Sequence, residues 1–396
     1  MNALSLTRAE PDRAAHPVVG SGLVALAIAM GIGRFAFTPL MPLMVRDGAL
    51  DAASGAEWAA ANYVGYLIGA LTASRFSGHP RRGLLLSLVG VAVTTVAMVA
   101  IGRVAIPGLG AGLRAAAGVF SAWALVCASG WCLAELSRRK AGASGAWIYT
   151  GVGAGIAFAG LLTWLGGRQQ AHWLWLELGV IAGLGALLVW SLSRGQTTHV
   201  ADAPGKAAPV AEPARRSSPL ALVLCYGTFG FGYIVPATFL PAMARDLAPD
   251  PLVFGLTWPL FGLAAALSVA AIARWLPHGS RQRIWAVAQA VMALGTALPI
   301  YLRTLPAIAA SAVLVGGTFM VATMAGLQLA REARPDNPTP LLARMTASFA
   351  AGQIAGPLLV RALGSGAEAM VWTSALATLS LLLSALWLWR DAARLA

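Results

Sequence analysis

Long apolar runs recur along almost the whole chain, and they limit its fold more than any other feature. A helix of about 20 mostly apolar residues crosses a bilayer. Hydrophobic residues make up 58% of the sequence and charged residues 11%, whereas soluble chains contain about 25% charged residues. The sequence therefore predicts an all-α membrane protein with twelve transmembrane helices, near 18–45, 56–77, 83–102, 106–135, 146–167, 172–193, 219–244, 253–275, 283–302, 305–330, 341–362 and 368–390.

A polar stretch divides the twelve runs into two sets of six. It is rich in proline, alanine and charge and has no apolar periodicity, which is typical of a flexible linker. We therefore predict an N-terminal tail over 1–17, a six-helix bundle over 18–194, a linker over 195–218 and a second six-helix bundle over 219–396.

The first helix of each half contains a related segment. "GIGRFAFTPLMPLMVRD" begins at residue 31 and "GFGYIVPATFLPAMARD" at residue 230, an offset of 199 residues. At this offset the scarce charged residues coincide too, which chance within apolar sequence explains poorly. The matched pairs include Gly31/Gly230, Gly33/Gly232, Pro42/Pro241, Arg46/Arg245, Asp47/Asp246, Arg75/Arg274, His79/His278, Arg82/Arg281, Gly118/Gly317 and Phe120/Phe319. Two halves in the same orientation are typical of transporters that bind substrate between parallel repeats near the midplane.

The positions of lysine and arginine predict the orientation. If both termini are cytoplasmic, most of the 28 lysines and arginines fall on the cytoplasmic side, as the positive-inside rule requires. The exceptions are two within the bilayer, Arg34 and Arg114, and six on the outer side: Arg46, Arg103, Arg168, Arg245, Arg303 and Arg361. Because the basic residues are spread between apolar runs and do not form one face, they do not indicate nucleic-acid binding.

These segments carry a family resemblance. The paired "GIGRFAFTPLMPLM" and "FGYIVPATFLPAMARD" segments resemble the major facilitator superfamily along nearly the whole chain, and its YbfB/YjiJ-type subfamily most. The superfamily loop motif G-x-x-x-D-R-x-G-R-R is partly kept in "ALTASRFSGHPRRG", with Ser74 in place of the acid. The helix-4 signature R-x-x-x-G is kept as Arg114 and Gly118. The Gly-Pro pair of the antiporter signature is missing from "GVGAGIAFAG", which disfavours a drug–proton antiporter.

The resemblance implies a fold, a mechanism and a location. Helices 1, 4, 7 and 10 are expected to line a central cavity, and the two bundles to rock so that the cavity opens to alternate sides. The loop-motif arginines Arg75, Arg81, Arg82, Arg274 and Arg281 are expected to act in gating. The expected location is the bacterial inner membrane, with the protein as a monomer in the lipid bilayer.

Arg34 and Arg114 are the strongest candidates for substrate contact. A charged side chain at the bilayer centre costs about 2.5–3.5 kcal/mol on insertion scales and normally faces a cavity or a partner. At a rise of 1.5 Å per residue, Arg34 lies about 18 Å inside the outer end of helix 1, and Arg114 lies about 12 Å inside that of helix 4. Alternatively, either arginine satisfies carbonyls that Pro39 and Pro42 leave free, or it pairs with an acid.

Other polar and aromatic residues are candidates for the same cavity, although packing or hydrogen bonding between helices explains each of them as well. They are Asn62, Tyr63, Tyr66, Trp123, Tyr226, Tyr233, Gln328 and Gln353. Tyr233 takes the place of Arg34 in the second copy, so charge is expected on one side of the pseudo-axis only. Gly151, Gly155, Gly352 and Gly356 have the spacing of close helix packing.

Acidic residues are scarce inside the predicted membrane region. Glu135 ends helix 4 beside "SRRK" and is expected to anchor the loop. Glu177 is the best candidate for proton coupling, with a structural role at the outer rim as the alternative; coupling through a protonatable substrate, exchange or no ion at all also stays open. A central cavity with arginines and no acid favours an anion, because guanidinium matches carboxylate and phosphate geometry.

The sequence thus predicts a secondary or facilitative transporter for a small organic solute, with an organic anion favoured. The alternative is efflux of amphipathic drug-like compounds. A membrane enzyme or a sensor is disfavoured, because no catalytic motif and no soluble signalling domain is apparent. We expect no cofactor, no metal and no nucleic-acid partner; a co-transported ion stays open.

Overall fold

The computed structural model describes residues 9–102, 106–194, 218–247, 255–364 and 367–395, and their long segments are all helical. Helix α1 has three parts, Ala9–Leu26, a π-helical Ala27–Phe35 and Phe37–Arg46. The rest of the first half is α2 Ala52–Thr72, α3 Pro80–Ala97, α4 Leu109–Arg138, α5 Thr150–Leu165 and α6 Ala171–Ser193. The second half is α7 Pro219–Leu247, α8 Thr257–Trp275, α9 Arg281–Tyr301, α10 Leu305–Ala333, α11 Thr339–Ala362 and α12 Ala367–Leu395. The predicted linker lies outside the described residues except for Ser218.

All twelve predicted helices are present, and most of their ends shift by a few residues. Short 3₁₀ segments extend α2 over Ala73–Phe76 and precede α5 over Gly142–Tyr149. Within the described residues, ten of the twelve helices are long and apolar enough to cross a membrane. The other two, α2 and α11, are long enough but less apolar. They contact each other between the halves, where polar residues avoid lipid.

The two halves repeat the same helix pairings. In the first half α1 packs on α5 and α6, α2 packs on α4, and α3 packs on α4 and α6. In the second half α7 packs on α11 and α12, α8 packs on α10, and α9 packs on α10 and α12. The fold is therefore two pseudo-symmetric six-helix bundles, as the sequence repeat predicts.

Glycines bring helix backbones together within each half. A Cβ atom at Gly31 would overlap the backbone of Gly155, so α1 and α5 touch at this point. A Cβ at Gly352 would overlap the carbonyl of Gly227, so α7 and α11 touch in the same way. The close-packing role predicted for Gly155 and Gly352 is confirmed.

The two halves also touch each other through glycine. A Cβ at Gly153 on α5 would overlap the backbone of Ala266 on α8, and a Cβ at Gly262 on α8 would overlap the backbone of Ala157 on α5. This α5–α8 contact, together with the α2–α11 contact, brings the halves against each other on both sides of the pseudo-axis.

Charged residues hold the loops at both ends of the bundle. At the C-terminal end of α1, Arg46 donates to the carbonyls of Gly167 and Gln169, and Asp47 accepts from the N–H of Ala171 at 2.6 Å. Partial burial opposes ionisation of Asp47, but the hydrogen bonds from Arg46 and Ala171 outweigh it and lower the pKa of this carboxyl. This contact gives the repeated Arg-Asp pair a structural role in the first half.

We call the opposite end, where the loops after α2, α4, α8 and α10 lie, the basic end. There Glu135 forms ion pairs with Arg138 and with Arg139, the latter at 2.6 Å. The predicted loop-anchoring role of Glu135 is therefore confirmed.

The α1–α5 contact predicts that Gly31→Ala lowers the thermal stability of the purified protein. The added methyl group has no space beside Gly155, and overpacking of this kind typically costs about 1–3 kcal/mol. Gly112→Ala is the matched control, because this helical glycine has nothing within 4 Å of its Cβ position. Unfolding midpoints in detergent check the pair; equal midpoints for the two variants would contradict the close contact.

Candidate functional site

The site begins with the irregular centre of α1. Residues Ala27–Phe35, which include "GIGRF", form a π-helix, and such turns often occur at functional positions. Pro39 follows in the next turn and has no N–H to donate to the carbonyls before it. The sequence therefore opens the backbone of α1 next to Arg34, and the neighbouring helices must satisfy the polar groups that are exposed there.

Arg114 on α4 satisfies two of these groups. Its Nη1 donates to the carbonyl of Gly33 at 3.1 Å, and its Nη2 donates to the carbonyl of Arg34 at 2.9 Å. Its guanidinium also lies over the ring of Phe37, 4.7 Å from the centroid. Of the alternatives for Arg114, the structure favours the one in which it satisfies carbonyls of the broken helix.

Arg34 contacts both halves. Its Nη2 donates to Oε1 of Gln353 on α11, so this hydrogen bond joins the two halves. The guanidinium carbon lies over the ring of Tyr66 at 3.9 Å, with Phe35 at 5.1 Å and Phe349 at 5.6 Å. The Arg34 residue is 3% exposed, so in this conformation the guanidinium is enclosed between the halves.

Neither arginine has a carboxylate partner among the described residues. The ion pairs found there join Arg46 to Asp47, Glu135 to Arg138 and Arg139, and Arg281 to Glu332. Nε and Nη1 of Arg34 are buried, and no described acceptor meets them in hydrogen-bonding geometry. A buried cation without a counter-charge is costly, so Arg34 is able to bind an anion strongly.

Several predicted site residues lie close to the arginines. Asn62 donates from Nδ2 to the carbonyl of Arg114 at 2.8 Å and so ties α2 to α4. Tyr66 is the ring under Arg34, and the half-buried Tyr63 lies one turn earlier on α2. Gln353 is the hydrogen-bond partner described above.

Tyr233, the counterpart of Arg34 in the second half, belongs to an aromatic cluster on the other side of the site. Its ring stacks on Phe319 at 4.3 Å, and Phe319 meets Phe35 of the first half edge-on at 5.8 Å. Tyr226 packs against Phe229 and Trp285, and its ring lies 5.5 Å from that of Phe349. The pairing of an arginine with a neutral aromatic residue across the pseudo-axis gives the site one charged and one apolar side.

Two predicted site residues lie elsewhere. Trp123 donates from Nε1 to the hydroxyl of Thr72 at 2.9 Å and packs on Phe76, at the end of α2. Gln328 lines a separate cavity of about 730 Å³ at the basic end, between α4, the α8–α9 loop and α10. We do not include either residue in the arginine site.

The predicted gating arginines lie at the basic end and have different surroundings. Arg75 lies over the ring of Trp123 at 5.7 Å. Arg281 donates to the carbonyl of Pro277 at 2.6 Å and lies 4.0 Å from Glu332 at the mouth of the cavity. The remaining three are at the surface to differing degrees: Arg81 is half-buried, and Arg82 and Arg274 are exposed.

Glu177, the coupling candidate, is half-buried on α6, and no described lysine or arginine lies within 4 Å of it. The same helix contributes His172 and Trp175 to a cavity of about 250 Å³ near Asp47. Glu177 does not line that cavity, and the structure gives it no link to Arg34.

Sequence reasoning missed the aromatic residues around Arg34. Phe35 and Phe349 flank the guanidinium, and Phe319 and Trp258 contact Phe35. One signal was available: Phe319 is the repeat counterpart of Phe120. The others are unremarkable in apolar helices, and only the packing of α1 against α8, α10 and α11 brings them together.

Comparison with known proteins agrees with this architecture. A family model described as "Uncharacterised MFS-type transporter YbfB" matches residues 26–388. The chain belongs to this family of major facilitator superfamily transporters. It is therefore a multi-pass membrane protein of a transporter family. A search of curated proteins finds no match.

A solved structure extends the likeness to the whole fold. The human organic anion transporter MFSD10 (TETRAN) superposes with a TM-score of 0.71 over 96% of this chain and 99% of its own, at 17% sequence identity. At this identity the match shows the shared fold alone. The transporter architecture predicted from the repeat is confirmed.

The different surroundings of the two arginines predict opposite effects of the same substitution. Arg114→Met removes two charge-assisted hydrogen bonds to α1, each typically worth about 1.5–3 kcal/mol, and lowers the unfolding midpoint of the ligand-free protein by several degrees. Arg34→Met removes an uncompensated buried charge and leaves the midpoint unchanged or raises it. Unfolding of both variants in detergent tests this; equal destabilisation would contradict the assignment.

Proposed function

We propose that this transporter moves a small organic anion across the bacterial inner membrane by alternating access, with both termini in the cytoplasm. The observation that carries the proposal is the buried guanidinium of Arg34, which lies between the two halves and has no carboxylate partner among the described residues. An anion bound there contacts both halves at once. Its binding energy can therefore change the balance between conformations that open to opposite sides.

Several features support an anion over a cation. The predicted membrane interior contains arginine at 34 and 114. The acidic residues of the described ranges lie in loops or within about two turns of a helix end, and Glu57 and Glu177 lie furthest from an end. A guanidinium binds carboxylates, phosphates and sulfonates with charge-assisted, often bidentate hydrogen bonds. The human neighbour of the same fold is described as an organic anion transporter, which agrees with the proposal.

The contacts between the halves, the gating arginines and Glu177 have separate parts in the proposed transport cycle. The α5–α8 glycine contacts and the α2–α11 contact provide surfaces on which the halves rock. Arg281 and Glu332, both of the second half, lie at the cavity of the basic end, which the first half lines from α4. Glu177 stays the candidate for coupling transport to proton movement. An exchange of anions needs no such group.

Uptake into proteoliposomes tests the proposed function. Purified protein is reconstituted and screened with radiolabelled monocarboxylates, dicarboxylates and sulfonates. For a transported anion, we expect Arg34→Lys to retain transport at reduced affinity, because a point charge replaces the planar fork, and Arg34→Met to lose it. Arg283→Ala is the control, because Arg283 is exposed at the start of α9. Transport that survives Arg34→Met would contradict the proposal.

The alternative function is efflux of amphipathic drug-like compounds. The observation in its favour is the aromatic cluster of Tyr233, Phe319, Phe349 and Phe35 beside the site, which offers a large apolar surface. Efflux of neutral or cationic dyes from energised vesicles, unaffected by Arg34→Met, would favour this function over anion transport.

A further inference from the structure

The two buried arginines are not equally available to a ligand. Both terminal nitrogens of Arg114 are used by the carbonyls of Gly33 and Arg34. These bonds hold the open turn of α1, so a ligand that took both terminal nitrogens in a bidentate contact would compete with that turn. The sequence suggested two equivalent guanidiniums, whereas in the described structure Arg34 is the one whose hydrogen-bond partner is a side chain and not the backbone.

The remaining guanidinium already has a neutral ligand. Oε1 of Gln353 accepts from Nη2 of Arg34, and Gln353 itself is 0% exposed. Nε2 of the same amide is buried without a described hydrogen-bond partner. A carboxylate makes a stronger, charge-assisted hydrogen bond to guanidinium than a neutral amide does. Oε1 of Gln353 therefore occupies the place on Nη2 of Arg34 where a carboxylate oxygen would bind. A carboxylate can displace it.

The space around this position is aromatic. Tyr66 lies under the guanidinium at 3.9 Å, and Phe349 is 5.6 Å from it. Phe349 stacks on Tyr233 at 5.9 Å, and Tyr233 stacks on Phe319 at 4.3 Å. A ligand that replaces Gln353 on Arg34 thus places the rest of its body against ring faces. A second negative charge is unfavourable there, because the faces of aromatic rings are electron-rich.

On the basis of the proposed function, we infer that the substrate is a monoanion with a flat apolar body, such as an aromatic monocarboxylate, and that it displaces the Gln353 amide from Arg34. The displacement also replaces the Arg34–Gln353 hydrogen bond, which joins α1 to α11, with contacts made by the substrate. Binding is thereby coupled to the interface between the halves.

A matched ligand series tests the charge and shape of the substrate. Isophthalate, benzoate and benzamide share a benzene ring. Isophthalate carries two carboxylates, benzoate carries one and benzamide carries none. We expect benzoate to bind the purified protein in detergent at pH 7, isophthalate to bind at least about tenfold more weakly, and benzamide not to bind. Equilibrium dialysis and ligand-induced shifts of the unfolding midpoint give the affinities.

Two variants test the role of Gln353. Gln353→Glu puts a carboxylate on Arg34, so we expect the unfolding midpoint of the ligand-free protein to rise and benzoate binding to be lost. Gln353→Leu removes the competing amide, so we expect benzoate affinity to be equal or higher. If Gln353 is only a structural tie, Gln353→Leu instead loses binding and Gln353→Glu retains it, which would overturn the inference.

Gln289→Glu is the matched control. Gln289 is also a fully buried glutamine, but it lies on α9 and donates to the carbonyl of Cys225. We expect a carboxylate there to lower the unfolding midpoint and to leave benzoate affinity unchanged. A rise in midpoint equal to that of Gln353→Glu would overturn the assignment of Gln353 to the arginine site.

The inference and the proposed function can fail separately. If isophthalate binds as tightly as benzoate and both depend on Arg34, the monoanion inference is wrong and anion transport stands. The monoanion inference is also wrong, and anion transport also stands, if benzoate does not bind and a dicarboxylate of the uptake screen is transported. If no anion of the screen is transported, the proposed function itself is wrong.

Discussion

The candidate site of this protein depends on one buried positive charge, that of Arg34. Arg34 lies at the interface of two six-helix bundles, and among the described residues only a neutral amide, Gln353, and aromatic rings receive it. In a low-dielectric interior such a charge is expensive unless a partner arrives. In the proposed function a substrate anion supplies that partner, at the interface where the two bundles meet.

The surroundings of Arg34 follow from the defects of α1. Glycine at position 31 lets α1 touch α5, and the π-helical turn and Pro39 leave carbonyls that α1 cannot satisfy itself. Arg114 satisfies two of them. The sequence alone presents Arg114 as a second candidate for substrate contact. In the structure it holds the open turn of α1 beside Arg34, so the two arginines have different surroundings.

Much of the fold could be predicted from the sequence, because apolar runs and the repeat are both long-range signals. Twelve helices, two like halves and the glycine contacts of Gly155 and Gly352 followed from length, spacing and residue size. The site was only partly predictable. Polarity in a membrane identifies Arg34 and Gln353 as unusual, but which of several aromatic residues face them depends on how α1, α8, α10 and α11 cross. Trp123 shows the difficulty, since it is amphipathic and on the expected helix and yet packs at the end of α2.

Alternating access requires the residues beside Arg34 to be reached by water from each side of the membrane in turn. Phe349→Cys places a thiol next to the guanidinium, and the three native cysteines are buried and can be replaced by serine. A membrane-impermeant maleimide applied separately to right-side-out and inverted vesicles measures access from each face. We predict that the thiol is labelled from both faces and that a transported anion reduces the labelling. A thiol that can be labelled from one face only, or from neither, would contradict alternating access to Arg34.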